Sequence, residues 1–483
     1  MTSVANAPVP PAGVTPAAPV IEGFAGEVLR PGDGGYHAAR RLYNRAIDRH
    51  PALIARCTGV ADVIAAVRHA RRRGLRVAVY GGGHSFAGHS VCDDGLVIDL
   101  RPMKGVRADP TAAVVHAQAG LTWGELDRET QVFGLAVTGG RDPSTGIVGL
   151  TLGSGSGWLE RPLGRSCDNL RSADLVTADG KFLTASATEH SELFWGLRGG
   201  GGNFGIVTAL EYQLHRVGPV VLGGMLLYPR DRASEVLRFW REFIAAAPDE
   251  VAGVCILNTV PDAPFVPEQV RGRPVAAVVA CYLGPPAAGE KVLRPLRGFG
   301  RPTADLIAPL PYTALQQLAA PSPELGDRFY ATFDFLPELS DECIDVLAAQ
   351  TPRAGGLQAI VVPFGGAVAR LPEDATAFGH RSERFGLNIL AQWADPGEDA
   401  RHTADARTLA RAMRAYTAGG GVYLNGNSDD DPGVVKAAFG PTAYRRLVAL
   451  KDRYDPGNVF RLNHNIPPST TAANTGKEET GRR

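Results

Sequence analysis

At 483 residues the chain is too long for one compact core and suits two or three domains. An apolar fraction of 44% with 21% charged residues is that of a soluble globular protein. Lys+Arg and Asp+Glu both number 50, so the formal net charge is zero, which excludes a general binder of nucleic acid or anionic membranes.

Cys57, Cys92, Cys167, Cys255, Cys281 and Cys343 are scattered and form no Cys-x-x-Cys pair, which argues against zinc and against a disulfide framework. The stretch Met1 to Val20 is rich in Pro and Ala without a charged segment followed by an apolar one. It reads as a disordered tail rather than a signal peptide. The longest apolar runs, such as Val275 to Leu283, are too short to span a bilayer, and the expected compartment is the cytoplasm.

Residues 36–74 read as helix, strand, helix. Thr58 and Asp62 are start signals for the second helix; Val60, Val63, Ile64 and Val67 recur at helical spacing, and Gly74 stops it. Arg71 to Arg73 form a solvated helix end that suits the helix dipole. The strand Leu75 to Tyr80 then runs into Gly81-Gly82-Gly83-His84-Ser85. Three glycines in a row leave backbone N–H groups uncovered, a concave nest suited to a pyrophosphate, with His84 at its rim as a candidate nucleophile. Taken without its neighbours, the same stretch is equally a glycine-rich turn bearing a surface histidine.

Short strands follow at Leu96 to Leu100 and Ala113 to Ala117, then a helix Trp123 to Gln131 capped by Thr122. Glycines 146, 149, 153, 155 and 157 crowd the next block. Each costs a regular element ~1 kcal/mol against alanine, so close approach of backbone to a ligand is expected in place of helix or strand. Strand Ala173 to Thr177, a turn at Ala178 to Gly180 and a helical turn Glu192 to Arg198 precede Gly199 to Gly205. Glycines 200, 202 and 205 match G-x-G-x-x-G, but a helix precedes them and the strand Ile206 to Leu214 follows, so no Rossmann unit is expected.

From about 216 to 420 long strands alternate with amphipathic helices. The strands are Val220 to Tyr228, Val254 to Val260, Val275 to Leu283, Phe329 to Phe335, Leu357 to Phe364 and Gly386 to Trp393. The helices are Ala233 to Ala246, Glu290 to Phe299, Asp341 to Gln350 and Asp399 to Thr417. This texture predicts an α+β domain on an antiparallel sheet. The C-terminal part brings an extended Val422 to Ser428, a helix Tyr444 to Tyr454 and the run Asp455 to Ile466, before a polar tail.

Taken in order, these blocks resemble one family. Gly81-Gly-Gly-His-Ser-x-Ala-Gly88, Gly149-Leu-Thr-Leu-Gly-x-Gly-x-Gly-Trp-Leu159, Asp168-Asn-Leu170 and Arg198-Gly-Gly-Gly-Gly-Asn-Phe-Gly-Ile-Val-Thr208 are joined by Tyr423-x-Asn425, Lys451-x-x-Tyr-Asp-Pro-x-Asn-Val-Phe-Arg461 and Asn463-x-Asn-Ile466. The chain is similar to the FAD-linked oxidases of the vanillyl-alcohol oxidase superfamily, bacterial berberine-bridge-enzyme-like group, and among them to members that tailor aromatic polyketides. The resemblance implies an α+β fold in which a two-part PCMH-type FAD-binding domain (residues 21–215 and 421–467) carries an inserted substrate-binding domain (216–420) on an antiparallel sheet. Residues 1–20 and 468–483 are expected to be disordered tails.

The resemblance carries FAD over as cofactor, attached covalently through His84 to the 8α-methyl of the flavin. Gly81, Gly82, Gly83, Ser85, Gly149, Gly153 and Val207 match backbone contacts to FAD, and Asn463 matches a position near the ring. One stretch departs from the pattern. Many relatives attach the flavin a second time through a cysteine in Cys-x-x-Val/Thr-Gly; here Asp142-Pro-Ser144-Thr145-Gly146 aligns, so Asp142 stands at the cysteine position and a single link is expected. In plant relatives a side chain in this segment gates oxygen, and Thr145, being small, implies an open gate.

Such a cofactor needs a protein that orients the substrate and removes a hydroxyl or phenol proton. Tyr423 is the candidate base; alternation in an extended segment would put Asn425 on its face. A tyrosine titrates near ~10, so it needs a field that favours the phenolate. A packed tyrosine with a satisfied hydroxyl is the plain alternative. In Leu387 to Trp393, alternation puts Asn388 with Leu390 and Gln392 over the flavin, where an amide would orient substrate; a solvent-facing sheet residue is the alternative there. His116, His215, His380 and His464 lack metal-ligand spacing and read as structural, with His464 placed near the flavin. No G-x-S-x-G elbow follows a strand, against a serine hydrolase.

The expected activity is oxidation of a small hydroxylated or phenolic molecule by hydride transfer to FAD, with O2 as the second partner and H2O2 as product. A flavin-dependent oxygenase or oxidative cyclase is the first alternative, and a non-catalytic flavoprotein the second; His84 and Tyr423 argue against the latter. No feature of the sequence names the substrate or sets an oligomeric state.

Overall fold

The structure is a computed structural model that describes residues 21–470 except 261, 263–267, 319, 321–325 and 354. The tail expected at 1–20 and residues 471–483 of the C-terminal one lie outside the described residues. The architecture is mixed helix and antiparallel sheet, an α+β fold.

Among the described residues the N-terminal part holds two larger sheets and a two-stranded one that pairs Leu135–Ala136 with His215–Arg216. In the first, strands Glu27–Leu29, Leu53–Arg56, Leu96–Asp99 and Val77–Tyr80 lie in that order, and the last three run parallel. The second is antiparallel, in the order Val106–Asp109, Val114–Gln118, Ile206–Gln213, Leu170–Val176 and Phe182–Ser186. Helix Val60–Arg73 packs between them through Val63, Ala66, Val67 and Ala70. Burying a valine-sized side chain contributes about 1.5–3 kcal/mol. Asp62 anchors the helix start by accepting from Ala25 N–H and Thr58 N–H, each at 2.8 Å, and Gly74 ends it at φ 62°. Helix Trp123–Gln131 starts with a capping box between Thr122 and Glu125.

The central part is one antiparallel sheet of eight strands. Its main path runs Ala304–Asp305, Val220–Pro229, Pro274–Tyr282, Val251–Thr259, Leu357–Pro363, Phe385–Trp393 and Arg328–Leu336. Helices Ala233–Ala246, Asp341–Gln350 and Asp399–Met413 cover one face. The other face meets the N-terminal part, where Trp158, Leu159 and Tyr423 join Phe333, Phe335 and Phe364 in one apolar cluster.

The chain then returns to the first part. Lys451, fully buried, donates to Asp455 at 2.7 Å, to the Asn203 carbonyl at 2.9 Å and to the Phe460 carbonyl at 3.0 Å. Asp455 in turn accepts from the Val459 and Phe460 N–H groups. A buried ion pair stands only when its remaining protons and lone pairs are met, as here. The pair ties the segment 455–466 to the glycine run after Arg198.

Four local expectations change. The glycine-dense block does contain a helix, Ile147–Leu152: Gly146 and Gly153 are its end caps, and a Cβ on Gly149 would meet nothing, so little packing is given up inside it. The helix expected over Glu290 to Phe299 is two, Pro286–Val292 and Arg294–Gly298, because Pro295 fits the first turn of a new helix and not the interior of an old one. The last helix starts earlier than expected, spanning Pro432–Tyr454 with a break at Gly440, φ 68°, before Pro441. Leu424–Gly426 is a 3₁₀ turn rather than extended chain.

Candidate active site

A long cleft, about 1400 Å³ with its open mouth, runs between the two N-terminal sheets, the glycine run and the returning C-terminal segment. Strand Val77–Tyr80 delivers Gly81, Gly82, Gly83, His84 and Ser85 to its wall. Gly82 and Gly146 pack backbone to backbone: a Cβ on Gly82 would overlap the Gly146 nitrogen, and one on Gly146 the Gly82 nitrogen. Thr145, Gly146, Gly149 and Gly153 line the adjoining stretch of wall. At Gly153 a Cβ would overlap the Asn425 amide, so this glycine lets Asn425 reach the wall.

Asn425 donates to the Leu150 carbonyl at 3.0 Å and to the Tyr423 hydroxyl at 3.3 Å. The pair meets as expected, but through the 3₁₀ turn and not through strand alternation. The turn is clamped to strand Arg328–Leu336. Asn427 accepts from Phe333 N–H and donates to the Phe333 and Tyr423 carbonyls, and Tyr423 N–H donates to Phe333.

His84 stacks on Tyr43, ring centroids 3.9 Å apart at 22°, and Tyr43 stacks on Phe329. Its Nε2 lies 2.9 Å from the Ser144 hydroxyl, and its Nδ1 lies 3.4 Å from that of Thr145. Ser144 donates its hydroxyl to Asp142 at 2.6 Å. Burial pushes the imidazole below its ordinary range, and the Asp142 charge works the other way. The ring is therefore neutral near pH 7, the form in which a nitrogen can attack carbon.

Tyr423 is 6% exposed and packs edge-on against Phe333 at 5.1 Å. Burial pushes its phenol up, while the Arg165 guanidinium, the Asn425 amide and the Ser156 N–H pull it down. Arg165 is fully buried against the rings of Phe378, Phe364 and Tyr423, at 4.3, 4.8 and 5.3 Å. Its guanidinium nitrogens make no hydrogen bond, and Glu160 approaches one of them at 3.7 Å.

The structure thus brings nearly all sequence-predicted site residues to one cleft, Val207 and Asn463 included. Asp142 and Ser144 stand behind His84 rather than on the wall, and Tyr423 stands behind Asn425. Asn388 is not on this wall. Its amide donates to the Thr332 carbonyl on the neighbouring strand at 3.0 Å. The expected alternation holds there: Leu387, Ile389, Ala391 and Trp393 enter the helix-covered core, while Leu390 packs with Phe329, Ala331, Tyr43 and Phe86.

Sequence reasoning missed Tyr43, Arg165, His89 and the glycines 199–202. The glycines lie in a quoted motif but in the wrong order for a dinucleotide fold. They line the cleft, and the N–H groups of Gly199 and Gly201 both donate to the Leu152 carbonyl. His89 and His464 also line it, ring edge to face at 5.1 Å, and burial pushes His89 down to about 3. Of the histidines read as structural, His215 meets Asn169 at 2.6 Å and His380 meets the Ala438 carbonyl at 2.9 Å. The six cysteines are free and buried; burial holds the Cys167 thiol well above its ordinary range. Among the described residues no helix is long and apolar enough to cross a membrane.

The site fits a flavin dinucleotide. Bare glycine backbone lines the wall for a pyrophosphate, and Asn463 Oδ1 and His464 Nδ1 are buried polar atoms of the lining with no protein partner.

Comparison with known proteins agrees. The family profile for an FAD binding domain matches residues 51–186, and the profile described as berberine and berberine like matches residues 422–467. The chain is 34% identical over 462 residues to (R)-6-hydroxynicotine oxidase of Paenarthrobacter nicotinovorans, covering 92% of this chain and 97% of that one. It is 30% identical over 457 residues to an FAD-linked oxidoreductase of Dictyostelium discoideum, covering 92% and 96%. The crystal structure of 6-hydroxy-D-nicotine oxidase from Arthrobacter nicotinovorans superposes with a TM-score of 0.83 at 30% identity, covering 92% of this chain and 98% of that one. With relatives of this likeness along nearly its whole length, the chain belongs to the FAD-linked oxidases of the vanillyl-alcohol oxidase superfamily, berberine-bridge-enzyme-like group, and is an FAD-linked oxidoreductase.

Proposed function

We propose that the protein oxidises a small hydroxylated or phenolic molecule, as a tailoring step on a natural product, with FAD held covalently by His84. Bound there, FAD would supply the redox chemistry, as acceptor of a hydride from the substrate carbon and donor of two electrons to dioxygen, with H2O2 as product. The neutral imidazole of His84 on the cleft wall, stacked on Tyr43, carries this reading. The glycine run 81–83 binds the dinucleotide, the run 199–202 lets its backbone form the wall beside it, and Asn463 and His464 meet the ring edge.

Tyr423 takes the substrate proton. Asn425 and the Ser156 N–H meet its hydroxyl, the Arg165 guanidinium lies against its ring, and all three favour the phenolate against burial. Phe86, Phe329 and Leu390 form an apolar flank suited to an aromatic substrate, and Asn388, on the same strand face as Leu390, orients it. Thr145 leaves the flavin open to oxygen. The chain divides accordingly into a flavin part, 21–215 with 421–467, and a substrate part, 216–420. The test is to precipitate the purified protein in acid and follow peroxide with a panel of phenols and secondary alcohols. Yellow pellets with substrate-dependent peroxide support the reading; flavin in the supernatant refutes the covalent link, and substrate oxidation without peroxide refutes the oxidase.

A further inference from the structure

Behind His84 the turn Asp142 to Thr145 forms a chain of hydrogen-bonded groups. The turn is rigid, because Thr145 N–H donates to the Asp142 carbonyl while Trp123 and Gly124, at the start of a helix, donate to Thr145 and Pro143. Asp142 Oδ1 accepts from the Ser144 N–H at 2.9 Å and from the Ser144 hydroxyl at 2.6 Å. A serine hydroxyl has one proton. With that proton directed at the carboxylate, the Ser144 oxygen can only accept in its 2.9 Å contact with His84 Nε2. Nε2 therefore carries the ring hydrogen, and Nδ1 keeps the lone pair. Tyr43 stacked on the ring fixes its plane, and the Tyr43 hydroxyl also faces Asp142, whose charge helps to push that phenol up.

We propose that Asp142 and Ser144 are positioning residues for cofactor attachment: they hold His84 with Nδ1 as the nucleophile, and Ser144 relays the Nε2 proton to Asp142 as the bond to the flavin forms. The inference rests on the reading of His84 as the attachment point. In the net step one 8α-methyl C–H and the imidazole N–H break and one C–N bond forms. Dioxygen takes the two electrons together with two protons from solvent as H2O2, and solvent receives the methyl proton and the proton relayed to Asp142. The position that the resemblance gives to a second attachment cysteine thus serves the first attachment.

The test uses full-length protein prepared without flavin and then given FAD. Acid-stable flavin is followed over time, and the histidyl-flavin peptide is identified by nuclear magnetic resonance as the Nδ1 or the Nε2 isomer. Wild type should load through Nδ1. Ser144→Ala and Asp142→Asn should load roughly 10²-fold more slowly, the scale of a lost proton-transfer group, while binding FAD non-covalently as tightly as wild type. Ser144→Thr keeps a hydroxyl and should load at close to the wild-type rate. Should Asp142→Asn fail to bind FAD, the contrast between Ser144→Ala and Ser144→Thr decides. Wild-type loading in Ser144→Ala, equal slowing in Ser144→Thr, or an Nε2 link in the wild type overturns the relay and leaves the covalent reading intact. Wild-type flavin that stays acid-soluble overturns the covalent reading itself.

Discussion

His84 takes its hydrogen-bond partners from one four-residue turn, Asp142 to Thr145, whereas Tyr423 takes its own from Asn425 and Ser156, with the Arg165 guanidinium against its ring and Phe333 packed beneath. His84 is half-buried and Tyr423 buried beside one cleft, yet loss of solvent acts on them in opposite chemical senses. It lowers the histidine, which favours the neutral ring that a nucleophile needs. It raises the tyrosine, which disfavours the phenolate that a base needs. The histidine cluster is thus ready as built, while the tyrosine cluster works against its own burial with a buried guanidinium.

The largest effect expected on this contrast is at His84. His84→Ala should abolish acid-stable flavin altogether, since no other imidazole sits in this turn; His89 and His464 line the cleft as a separate pair. Acid precipitation followed by absorbance of pellet and supernatant checks this, and a pellet that remains yellow would move the link elsewhere.

Next is Tyr423. Tyr423→Phe keeps the ring against Phe333 and removes the hydroxyl, so flavin reduction by substrate should slow by about 10²–10⁴-fold with little change in stability. The sign of the pH dependence follows from the raised phenol. Below its folded pKa the phenolate fraction grows with pH, so anaerobic flavin reduction by the wild type should rise steadily toward alkaline pH without a plateau near neutrality. The Phe variant should lack that rise. A wild-type rate that is flat with pH, or a Phe variant of undiminished rate, removes Tyr423 from the base role.

The same contrast explains what could be read from the chain. The histidine cluster is local: Gly81 to Ser85 and Asp142 to Gly146 are short runs whose glycines mark close backbone contact, confirmed where Gly82 meets Gly146. The tyrosine cluster is not. Phe364 and Phe378, which enclose Arg165, lie some two hundred residues from it, and no pattern around Arg165 marks it as buried. Tyr43 escapes for the same reason: it is held beside His84 by its N–H bond to the Gly83 carbonyl and by the two hydrogen bonds that Asn44 exchanges with Phe329 across 285 positions. The long strands were legible because their alternation is strong. Helix Ile147–Leu152 was not, since a glycine count ignores which glycines cap and which face open space.

A smaller effect is expected at Thr145, which belongs to the histidine turn but also lines the cleft. Thr145→Leu should slow reoxidation of the reduced flavin by dioxygen by about tenfold while leaving its reduction by substrate nearly unchanged, a change of about 1.4 kcal/mol in one barrier only. Stopped-flow traces of the two half-reactions separate these. Equal slowing of both would mean that leucine distorts the turn, and covalent loading should then fall as well.

The smallest effect is expected at Asn388, on the substrate side of the comparison. Its amide already donates to the Thr332 carbonyl, so one of its two N–H bonds is committed to the sheet and the remaining polar atoms are what a substrate can use. An amide cannot take a proton at neutral pH, so its loss cannot remove the base. Asn388→Ala should raise KM several-fold and lower kcat by less, since one hydrogen bond to an uncharged group is worth about 0.5–1.5 kcal/mol. Asn388→Asp sharpens the point. A carboxylate beside Leu390 and the strand carbonyl of Thr332 would be repelled by that oxygen and would compete with Tyr423 for the substrate proton. If the Asp variant restores flavin reduction to Tyr423→Phe, the two positions face the same reacting oxygen. If it leaves that double variant as slow as the single one, Asn388 acts on the sheet alone, and the substrate must then be oriented by the Tyr423 cluster and the apolar flank of Phe86, Phe329 and Leu390.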